Sequence, residues 1–360
     1  KGVVLIISPW NYPLQLTAGA LTAALAAGNR VIIKPSEATP ATADALKRTL
    51  EGALGPDRVT VAIGGTETAE ALCALPFDHI LFTGSTTVGK LVMRAAAQNL
   101  TPVTLELGGK SPAIVHDSFD HAVAARRIAR GKLLNAGQTC IAPDYALVRR
   151  DRIDEFVRLY QDATTQFYPR LIDNADYTSI VNQRHYDRLV KLVADARSKG
   201  AHLVTVDPAG ELPAEEIGAH NVRKIVPVVA TGVTDDMHMM REEIFGPVLP
   251  VVAYDSIEEA VAYVNARPRP LALYYFDSDR ERVDQVIRNT VFHAAQEGLP
   301  FGGIGPSGMG AYHGREGFRT FSHGKGVFLQ SRWTLTGLVA PPYGPRFRRL
   351  IRFAIRRNGG

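Results

Sequence analysis

Two side chains in this sequence have the chemistry of a nucleophile and a general base. Cys140 ends the small-residue segment 137–140, and Glu106 begins the glycine-containing segment 106–110. A thiolate can attack an electrophilic carbon, and a carboxylate can take a proton from water. A free cysteine considered alone is more often an unreactive core residue. The pair therefore becomes informative only together with the motifs around it.

The composition is that of an ordinary globular protein. The chain has 360 residues, enough for about two domains, with 46% hydrophobic and 21% charged residues, as in ordinary globular proteins. No stretch approaches the ~18 consecutive apolar residues of a membrane span, and no signal-peptide pattern is present. Two cysteines without framework spacing indicate a reducing compartment, so we expect a cytoplasmic protein.

The net charge of +5 is concentrated at the end of the chain. Six arginines lie between Arg346 and Arg357, and the rest of the chain is nearly neutral, which argues against nucleic-acid binding. Apolar residues recur between these arginines at helical spacing. A basic amphipathic helix of this kind suits an anionic membrane surface, but packing on the protein or on a neighbouring subunit is the favoured interpretation.

Strand-like and helix-like segments alternate along residues 1–107. Apolar β-rich runs predict strands at 3–7, 31–33, 59–63, 79–82 and 103–107. Helical composition predicts helices at 14–27, 40–55, 66–74 and 85–98, with Thr39 as an N-cap and Pro40 at the first helical position. This alternation, with fully apolar strands, is typical of a parallel sheet covered by helices on both faces.

The same α/β mixture continues along residues 108–317. Helices are predicted at 120–134, 153–167, 186–199 and 257–265, and strands at 145–148 and 247–254. The segment 302–310 contains five glycines and a proline, so we expect a constrained loop without regular structure.

Polar motifs follow three of the predicted strands, where ligands of parallel sheets bind. A glycine turn in 82–90 opens a helix whose N-terminus suits a phosphate, although a turn without a ligand fits equally well. Gly84 and Gly89 do not form the G-x-G-x-x-G fingerprint. Lys34 and Glu37 can hold ribose hydroxyls or form a solvated loop. Asn11 can donate to an oxyanion or complete a turn.

Seven motifs in order resemble the aldehyde dehydrogenase superfamily. They lie at 8–13, 34–37, 82–90, 106–112, 137–140, 242–247 and 300–310. The stretches 134–145, 265–275 and 305–318 are most similar to the class 3 branch, and within it to the coniferyl aldehyde dehydrogenases. The resemblance implies a Rossmann-like cofactor domain joined to an α/β catalytic domain, both with mainly parallel sheets.

The resemblance also implies the roles of the catalytic residues. Cys140 attacks the aldehyde carbonyl, and the Asn11 side chain with the backbone N–H of Cys140 holds the oxyanion. Glu106 activates the water that hydrolyses the acyl-enzyme. An acylating relative that passes the acyl group to a thiol is disfavoured, because such an enzyme needs no base for water.

The implied cofactor is NAD, because a carboxylate at Glu37 would repel a 2′-phosphate, although class 3 enzymes often accept NADP as well. No metal is expected. The cofactor-binding residues implied by the motifs are Trp10, Lys34, Ser36, Glu37, Gly84, Ser85, Val88, Gly89, Leu107, Glu243 and Phe245.

The expected substrate is an aldehyde, either aromatic, such as coniferaldehyde, or medium-chain aliphatic. Tyr12, Tyr145, Phe292 and Phe301 are expected to line an apolar tunnel for it. By resemblance, antiparallel pairing through residues 324–331 would form a homodimer.

The expected domains are a cofactor domain at 1–107, a catalytic domain at 108–317, and an oligomerisation strand with a basic tail at 318–360. Two departures from the family pattern stand out. The family usually has a further segment ahead of the first strand, and 288–293 is compressed where the family has another strand. The competing hypothesis is therefore a truncated or degenerate homologue that binds nucleotide with little turnover.

Overall fold

The structure is a computed structural model that describes residues 1–213, 216–289, 299–327, 329 and 344–358. The chain divides into two compact units, residues 1–322 and 323–360. The expected compression at 288–293 and the expected tunnel residue Phe292 lie wholly or partly outside the described residues.

The first unit begins with five parallel strands that form most of one sheet. The strands are β1 Val3–Ile7, β2 Arg30–Lys34, β3 Val59–Val61, β4 His79–Thr83 and β5 Val103–Glu106. The central strand β1 is almost wholly buried between β2 and β4. Buried apolar strands need helices on both faces, and the chain supplies a helix after each of the first four.

A second sheet follows in the order β13-β6-β7-β12-β11-β8 and is parallel except for β8. These strands, with a separate two-stranded ribbon formed by β9 and β10, are β6 Pro112–Val115, β7 Tyr145–Arg149, β8 His202–Thr205, β9 Gly218–Ala219, β10 Lys224–Ile225, β11 Val228–Thr231, β12 Val248–Tyr254 and β13 Tyr274–Phe276. The predicted α/β class with mainly parallel sheets is confirmed.

The glycine-rich segment 302–310 corrects one expectation. Gly308–Met309 forms a short strand, β14, that pairs antiparallel with β5 and completes the order β14-β5-β4-β1-β2-β3. A Cβ on Gly303 would lie 2.1 Å from the carbonyl oxygen of Ser307, so the loop can fold this tightly only with glycine there. Residues near the end of the first unit therefore pack against the strand that carries Glu106.

Helices cover the two sheets and connect their strands. In chain order they are α1 Pro13–Ala26, α2 Pro40–Leu54, α3 Thr66–Cys73, α4 Thr86–Ala97, α5 His121–Leu133, α6 Ile153–Phe167, α7 Gln183–Ser198, α8 His238–Arg241, α9 Ile257–Asn265, α10 Arg280–Asn289, α11 Gly314–Thr320 and α12 Pro345–Asn358. Every predicted helix is present. Among the described residues, no helix has the length and apolarity to cross a membrane, and no cluster of metal-ligating side chains occurs.

Local capping explains where the expected boundaries shift. Helix α7 begins three residues before the predicted start because the Asn182 side chain accepts a hydrogen bond from the backbone N–H of His185. Thr39 stands at the N-cap of α2, as predicted, but its side chain makes no capping hydrogen bond. Strands β6, β8, β11 and β13 were not predicted, since runs of three or four residues carry little periodic signal.

Candidate active site

The loop before Cys140 is built from three successive residues in the left-handed backbone region. Asn135, Ala136 and Gly137 have φ values of +52°, +51° and +78°. Asn135 and Ala136 pay a conformational cost in this region, and such costs cluster at functional sites. A Cβ on Gly137 would lie 2.2 Å from the carbonyl oxygen of Gly246, so glycine is required there. The turn ends α5 abruptly and directs the chain towards Cys140.

The buried side chain of Gln138 holds this loop in place. Gln138 belongs to the predicted motif 137–140, but its role could not be predicted from the sequence. Its buried side chain donates to the carbonyl oxygens of Asn135 (3.0 Å) and Ser179 (3.2 Å). Its Oε1 accepts from the backbone N–H of Val181 at 2.9 Å. With three bonds to backbone, the amide holds the nucleophile loop against the segment before α7.

The structure places Asn11 directly beside the nucleophile loop. The Asn11 side chain donates to the carbonyl oxygen of Gln138 at 3.1 Å. The Asn135 side chain donates in turn to the carbonyl oxygens of Asn11 (3.1 Å) and Gln138 (3.2 Å). A side-chain amide carries two N–H donors, so this bond occupies one and leaves the other for a ligand. Residues from the end of β1 and from the Cys140 loop therefore meet, as the motifs predict.

Tyrosines surround the same loop. The hydroxyl of Tyr12 is 2.7 Å from Thr139 Oγ1, and the hydroxyl of Tyr274 donates to the carbonyl oxygen of Ile141. Burial, with the nearby Glu106 and Cys140, raises the pKa of Tyr312. Tyr274 and Tyr312 were not predicted, because nothing in their local sequence distinguishes them from core aromatics.

Two of the expected tunnel residues, Tyr145 and Phe301, are buried. Tyr145 is a core residue of β7: it is buried, and its ring meets that of Tyr263 at 6.0 Å. The expectation that Tyr145 lines a tunnel is therefore wrong, because strand alternation turns its ring towards α9. Phe301 is also buried, and its ring stacks on His313 at a centroid distance of 5.0 Å.

Glu106 is a buried carboxyl group at the carboxyl end of β5. The residue is 2% exposed, and neither carboxylate oxygen has a hydrogen-bond partner among the described residues. Burial raises the pKa of Glu106 well above its ordinary value, since a desolvated carboxylate prefers its neutral form. An unpaired buried carboxyl is costly, and retaining one is typical of a proton-transfer site.

The thiol of Cys140 shares this desolvated environment. Burial, followed by the charges of Glu243 and Glu106, raises its pKa to about 12. The thiol is therefore protonated at neutral pH in this arrangement. Two carboxyl groups from different sequence motifs act on it, so the structure brings together Glu106, Cys140 and Glu243.

Glu243 lies on the segment between α8 and β12. A Cβ on Gly108 would lie 2.3 Å from its carboxylate oxygens, so the glycine of the 106–110 motif makes room for this side chain. Burial, followed by the charge of Asp144, raises the pKa of Glu243 to about 8. Phe245 has φ of +50°, and its ring meets Trp10 edge-on at 5.4 Å.

A buried ion pair holds the Glu243 segment in place. The Lys110 ammonium pairs with the Asp144 carboxylate and also donates to the carbonyl oxygens of Met239 (2.6 Å) and Glu242 (3.0 Å). Asp144 accepts from the backbone N–H of Ile244 at 2.8 Å. Lys110 is part of a predicted motif, but Asp144 was not singled out in the sequence.

Arg188 of α7 holds the same segment from the other side. Its guanidinium donates to the carbonyl oxygens of Glu243 (3.3 Å) and Ile244. The peptide groups next to Glu243 are therefore bonded on both sides, by α7 and by the Lys110–Asp144 pair.

The predicted ribose residues lie together at the carboxyl end of β2. Lys34 Nζ is 2.9 Å from Glu37 Oε2, with Lys34 buried and Glu37 exposed. Ser36 accepts a hydrogen bond from the backbone N–H of Ala38 at 3.2 Å. The exposed Glu37 carboxylate retains acceptor sites for hydroxyl groups, which is the chemistry that a ribose requires.

The predicted phosphate residues lie at the start of α4, next to the β4 strand end. Ser85 caps the helix by accepting from the backbone N–H of Val88 at 3.3 Å. A Cβ on Gly89 would lie 2.7 Å from Leu107 Cδ2, so glycine lets the helix approach the strand end that carries Leu107. Gly84 directly follows β4, and its backbone N–H donates to the carbonyl oxygen of Glu106 at 3.0 Å. These residues fit a dinucleotide along the carboxyl edge of the first sheet.

Comparison with known proteins gives consistent matches. The model of the aldehyde dehydrogenase family matches residues 1–327. The chain is 51% identical to a probable coniferyl aldehyde dehydrogenase of Caulobacter vibrioides and 46% identical to the coniferyl aldehyde dehydrogenase of a Pseudomonas species. These alignments cover 98% and 97% of this chain and 74% of each relative. It is also 42% identical to the dimeric NADP-preferring aldehyde dehydrogenase of Mus musculus, over 92% of this chain and 72% of that protein.

Solved structures of aldehyde dehydrogenases are also similar to this chain. The substrate-bound state of Staphylococcus aureus AldH matches with a TM-score of 0.87 and 41% identity, over 98% of this chain and 77% of that one. The Mycobacterium tuberculosis aldehyde dehydrogenase complexed with NAD+ matches with a TM-score of 0.81 and 35% identity, over 93% and 70%. The fold is therefore shared with these proteins.

Replacing Glu243 with glutamine is expected to lower the pKa of Cys140. The carboxylate of Glu243 raises the thiol pKa, so removing its charge moves thiolate formation to lower pH. The measurement is the rate of iodoacetamide alkylation of Cys140 against pH. The neighbouring exposed Glu242→Gln variant is the matched control and should leave the profile in place. An unchanged or upward-shifted profile in Glu243→Gln would contradict this electrostatic account.

Replacing Asp144 with asparagine is expected to destabilise the protein. The change leaves the Lys110 ammonium without its buried counterion, a loss of about 3–5 kcal/mol when one member of a buried pair is removed. Denaturant titration measures the unfolding free energy. The exposed pair Arg150–Asp255 provides the control, Asp255→Asn, for which little change is expected. Equal effects of the two substitutions would show that the buried pair does not hold the site.

Proposed function

This chain belongs to the aldehyde dehydrogenase family, whose enzymes depend on NAD(P), and on that premise we propose that it oxidises an aldehyde to the carboxylic acid through a covalent intermediate on Cys140. The observation that carries the proposal is the convergence of three side chains from separate motifs. Asn11 bonds to the loop of Cys140, and the charge of Glu106 acts on the Cys140 thiol. A nucleophile, an oxyanion donor and a buried base together fit acyl chemistry.

In the proposed first step, Cys140 loses its proton and its sulfur attacks the aldehyde carbon. The carbon–oxygen π electrons become an oxyanion, which the free N–H of the Asn11 side chain and the backbone N–H of Cys140 stabilise. A thiol with a pKa near 12 ionises rarely at neutral pH, so attack requires that its proton be accepted as the bond forms. The Glu243 carboxylate, whose charge also acts on the thiol, is a suitable acceptor.

In the proposed second stage, the thiohemiacetal becomes a thioester and is then hydrolysed. Bound NAD(P)+ supplies the two-electron acceptor for this oxidation. Glu106 takes a proton from water, the hydroxyl oxygen bonds to the acyl carbon, and the carbon–sulfur bond breaks to release the acid. The raised pKa of Glu106 makes its carboxylate a stronger base than an exposed one.

We propose NAD as the preferred cofactor. Lys34, Ser36 and Glu37 would hold the adenosine ribose, and Gly84, Ser85, Val88 and Gly89 would lie by the pyrophosphate. Trp10, Leu107, Glu243 and Phe245 would border the nicotinamide end. The Glu37 carboxylate disfavours a 2′-phosphate by charge repulsion, although its ion pair with Lys34 weakens that repulsion. NADP therefore remains the alternative cofactor, as in the NADP-preferring mouse relative.

For the substrate we propose an aromatic aldehyde, with coniferaldehyde as the first compound to test and a medium-chain aliphatic aldehyde as the alternative. Two relatives carry the name coniferyl aldehyde dehydrogenase. The aromatic rings of Tyr12, Tyr274 and Tyr312 next to the Cys140 loop provide surface on which another aromatic ring can pack.

We propose that residues 1–107 form the cofactor domain and that residues 108–317 form the catalytic domain. The proposed homodimer would use residues 318–360, as suggested by a mouse relative that is named as dimeric. Part of the expected pairing segment 324–331 lies outside the described residues.

Replacing Cys140 with alanine is expected to abolish NADH formation from NAD+ and coniferaldehyde, because no other group can form the thioester. Absorbance at the NADH wavelength follows the reaction. The other cysteine, Cys73, is buried in the first unit, so Cys73→Ala is the matched control and should retain turnover. Residual turnover in Cys140→Ala, or a folded wild type that binds NAD+ but has no turnover with any aldehyde, would overturn the proposed function.

A further inference from the structure

Helix α12 of the second unit is basic along its whole length. Residues 345–358 contain six arginines and no acidic residue. Arg346, Arg348, Arg349 and Arg352 are exposed. Such a charge density without compensating carboxylates makes the helix a poor fit for a neutral or cationic protein surface and a good fit for an anionic one.

The same helix exposes large apolar side chains. Leu350, Ile351, Phe353 and Ile355 are 43%, 39%, 66% and 66% exposed. Leu350, Ile351 and Ile355 are spaced one, four or five residues apart and share one face of the helix, while Arg349 and Arg352 lie on the opposite face. Arg346 and Arg348 border the apolar face on its two sides. Exposed apolar groups on this scale mark an interaction surface.

The arginines and the exposed apolar side chains of α12 together indicate the kind of partner that it binds. A nucleic acid would satisfy the arginines but would leave the isoleucine and phenylalanine side chains in water. An anionic lipid surface satisfies both, because apolar side chains enter the acyl boundary while arginines reach the headgroups. A helix of 14 residues is about 21 Å long, too short for the ~30 Å hydrocarbon core, so it would lie in the plane of the interface.

We propose that helix α12 docks the protein peripherally on anionic lipid membranes, with the face of Leu350, Ile351 and Ile355 in the interface and its arginines at the phosphates. The charge pattern and the exposed apolar side chains now favour the membrane over the protein-packing interpretation of the sequence. The proposal is independent of the aldehyde chemistry, so failure of one does not imply failure of the other.

The test is co-sedimentation of the full chain with vesicles of phosphatidylglycerol and phosphatidylcholine, compared with vesicles of phosphatidylcholine alone. Binding to the anionic vesicles only is expected. The combined variant Arg348→Gln, Arg349→Gln, Arg352→Gln should reduce the partition coefficient roughly a hundredfold, because each arginine removed near the surface costs about a fivefold loss. The combined α5 variant Arg126→Gln, Arg127→Gln, Arg130→Gln removes the same charge from exposed positions elsewhere and should bind as the wild type does.

Two further variants distinguish insertion of the apolar face into the membrane from simple charge attraction. Ile351→Trp, on the face proposed to insert, should show a blue shift of its fluorescence relative to the same chain without vesicles, and Leu350→Ser with Ile351→Ser should reduce binding. The proposal is overturned if the wild type does not bind, if only the charge variant loses binding, or if the α5 control loses binding equally. Binding to heparin but not to vesicles would instead identify a polyanion partner.

Discussion

The buried ion pair between Lys110 and Asp144 is the constraint on which the rest of the site depends. Lys110 belongs to the strand-end motif that begins at Glu106, and Asp144 leads into β7 just after Cys140. The pair also bonds to backbone on either side of Glu243. Three segments of the chain, from Lys110 to Ile244, are therefore held together by one carboxylate and one ammonium group. The Asp144 carboxylate is buried and the Lys110 side chain is largely covered, so separating the segments would leave a poorly solvated charge without its counterion.

This arrangement explains the unusual electrostatics around Cys140. Desolvation raises the pKa of the thiol and of both Glu106 and Glu243, so each carboxylate, once ionised, is a stronger base than an exposed one. A resting site of this kind keeps the nucleophile protonated, which protects a thiol from oxidation. Proton transfer then has acceptors within the site. Gly108 and Gly137 leave room for their neighbours. A Cβ on Gly108 would collide with the Glu243 carboxylate, and a Cβ on Gly137 would collide with the backbone of Gly246.

Much of this could be predicted from the sequence, because parallel α/β folds have a strong alternating pattern and their ligands bind at strand ends. Lys34 ends a strand, while Asn11, Glu37 and Gly84 follow strands, and all four were predicted to lie at strand carboxyl ends. The failures have physical causes. Tyr145 was misplaced because the alternation of a strand decides which way a ring points. The roles of Gln138 and Asp144 were missed because most of their partners lie far away in the sequence, at Ser179 and Val181 for Gln138 and at Lys110 and Ile244 for Asp144. The strand at Gly308–Met309 was missed because pairing with β5 depends on tertiary contact, not on local propensity.

The central claim, that Glu106 serves the hydrolysis of an acyl group held on Cys140, is tested most directly by pre-steady-state kinetics of the Glu106→Gln variant. Rapid mixing with NAD+ and coniferaldehyde should give a burst of NADH close to one equivalent per active site, followed by a slow steady state, because the thioester forms but is not hydrolysed. Mass spectrometry should then detect the acyl group on Cys140. Full steady-state turnover in the variant, or loss of the burst in a folded variant that binds NAD+, would contradict the account.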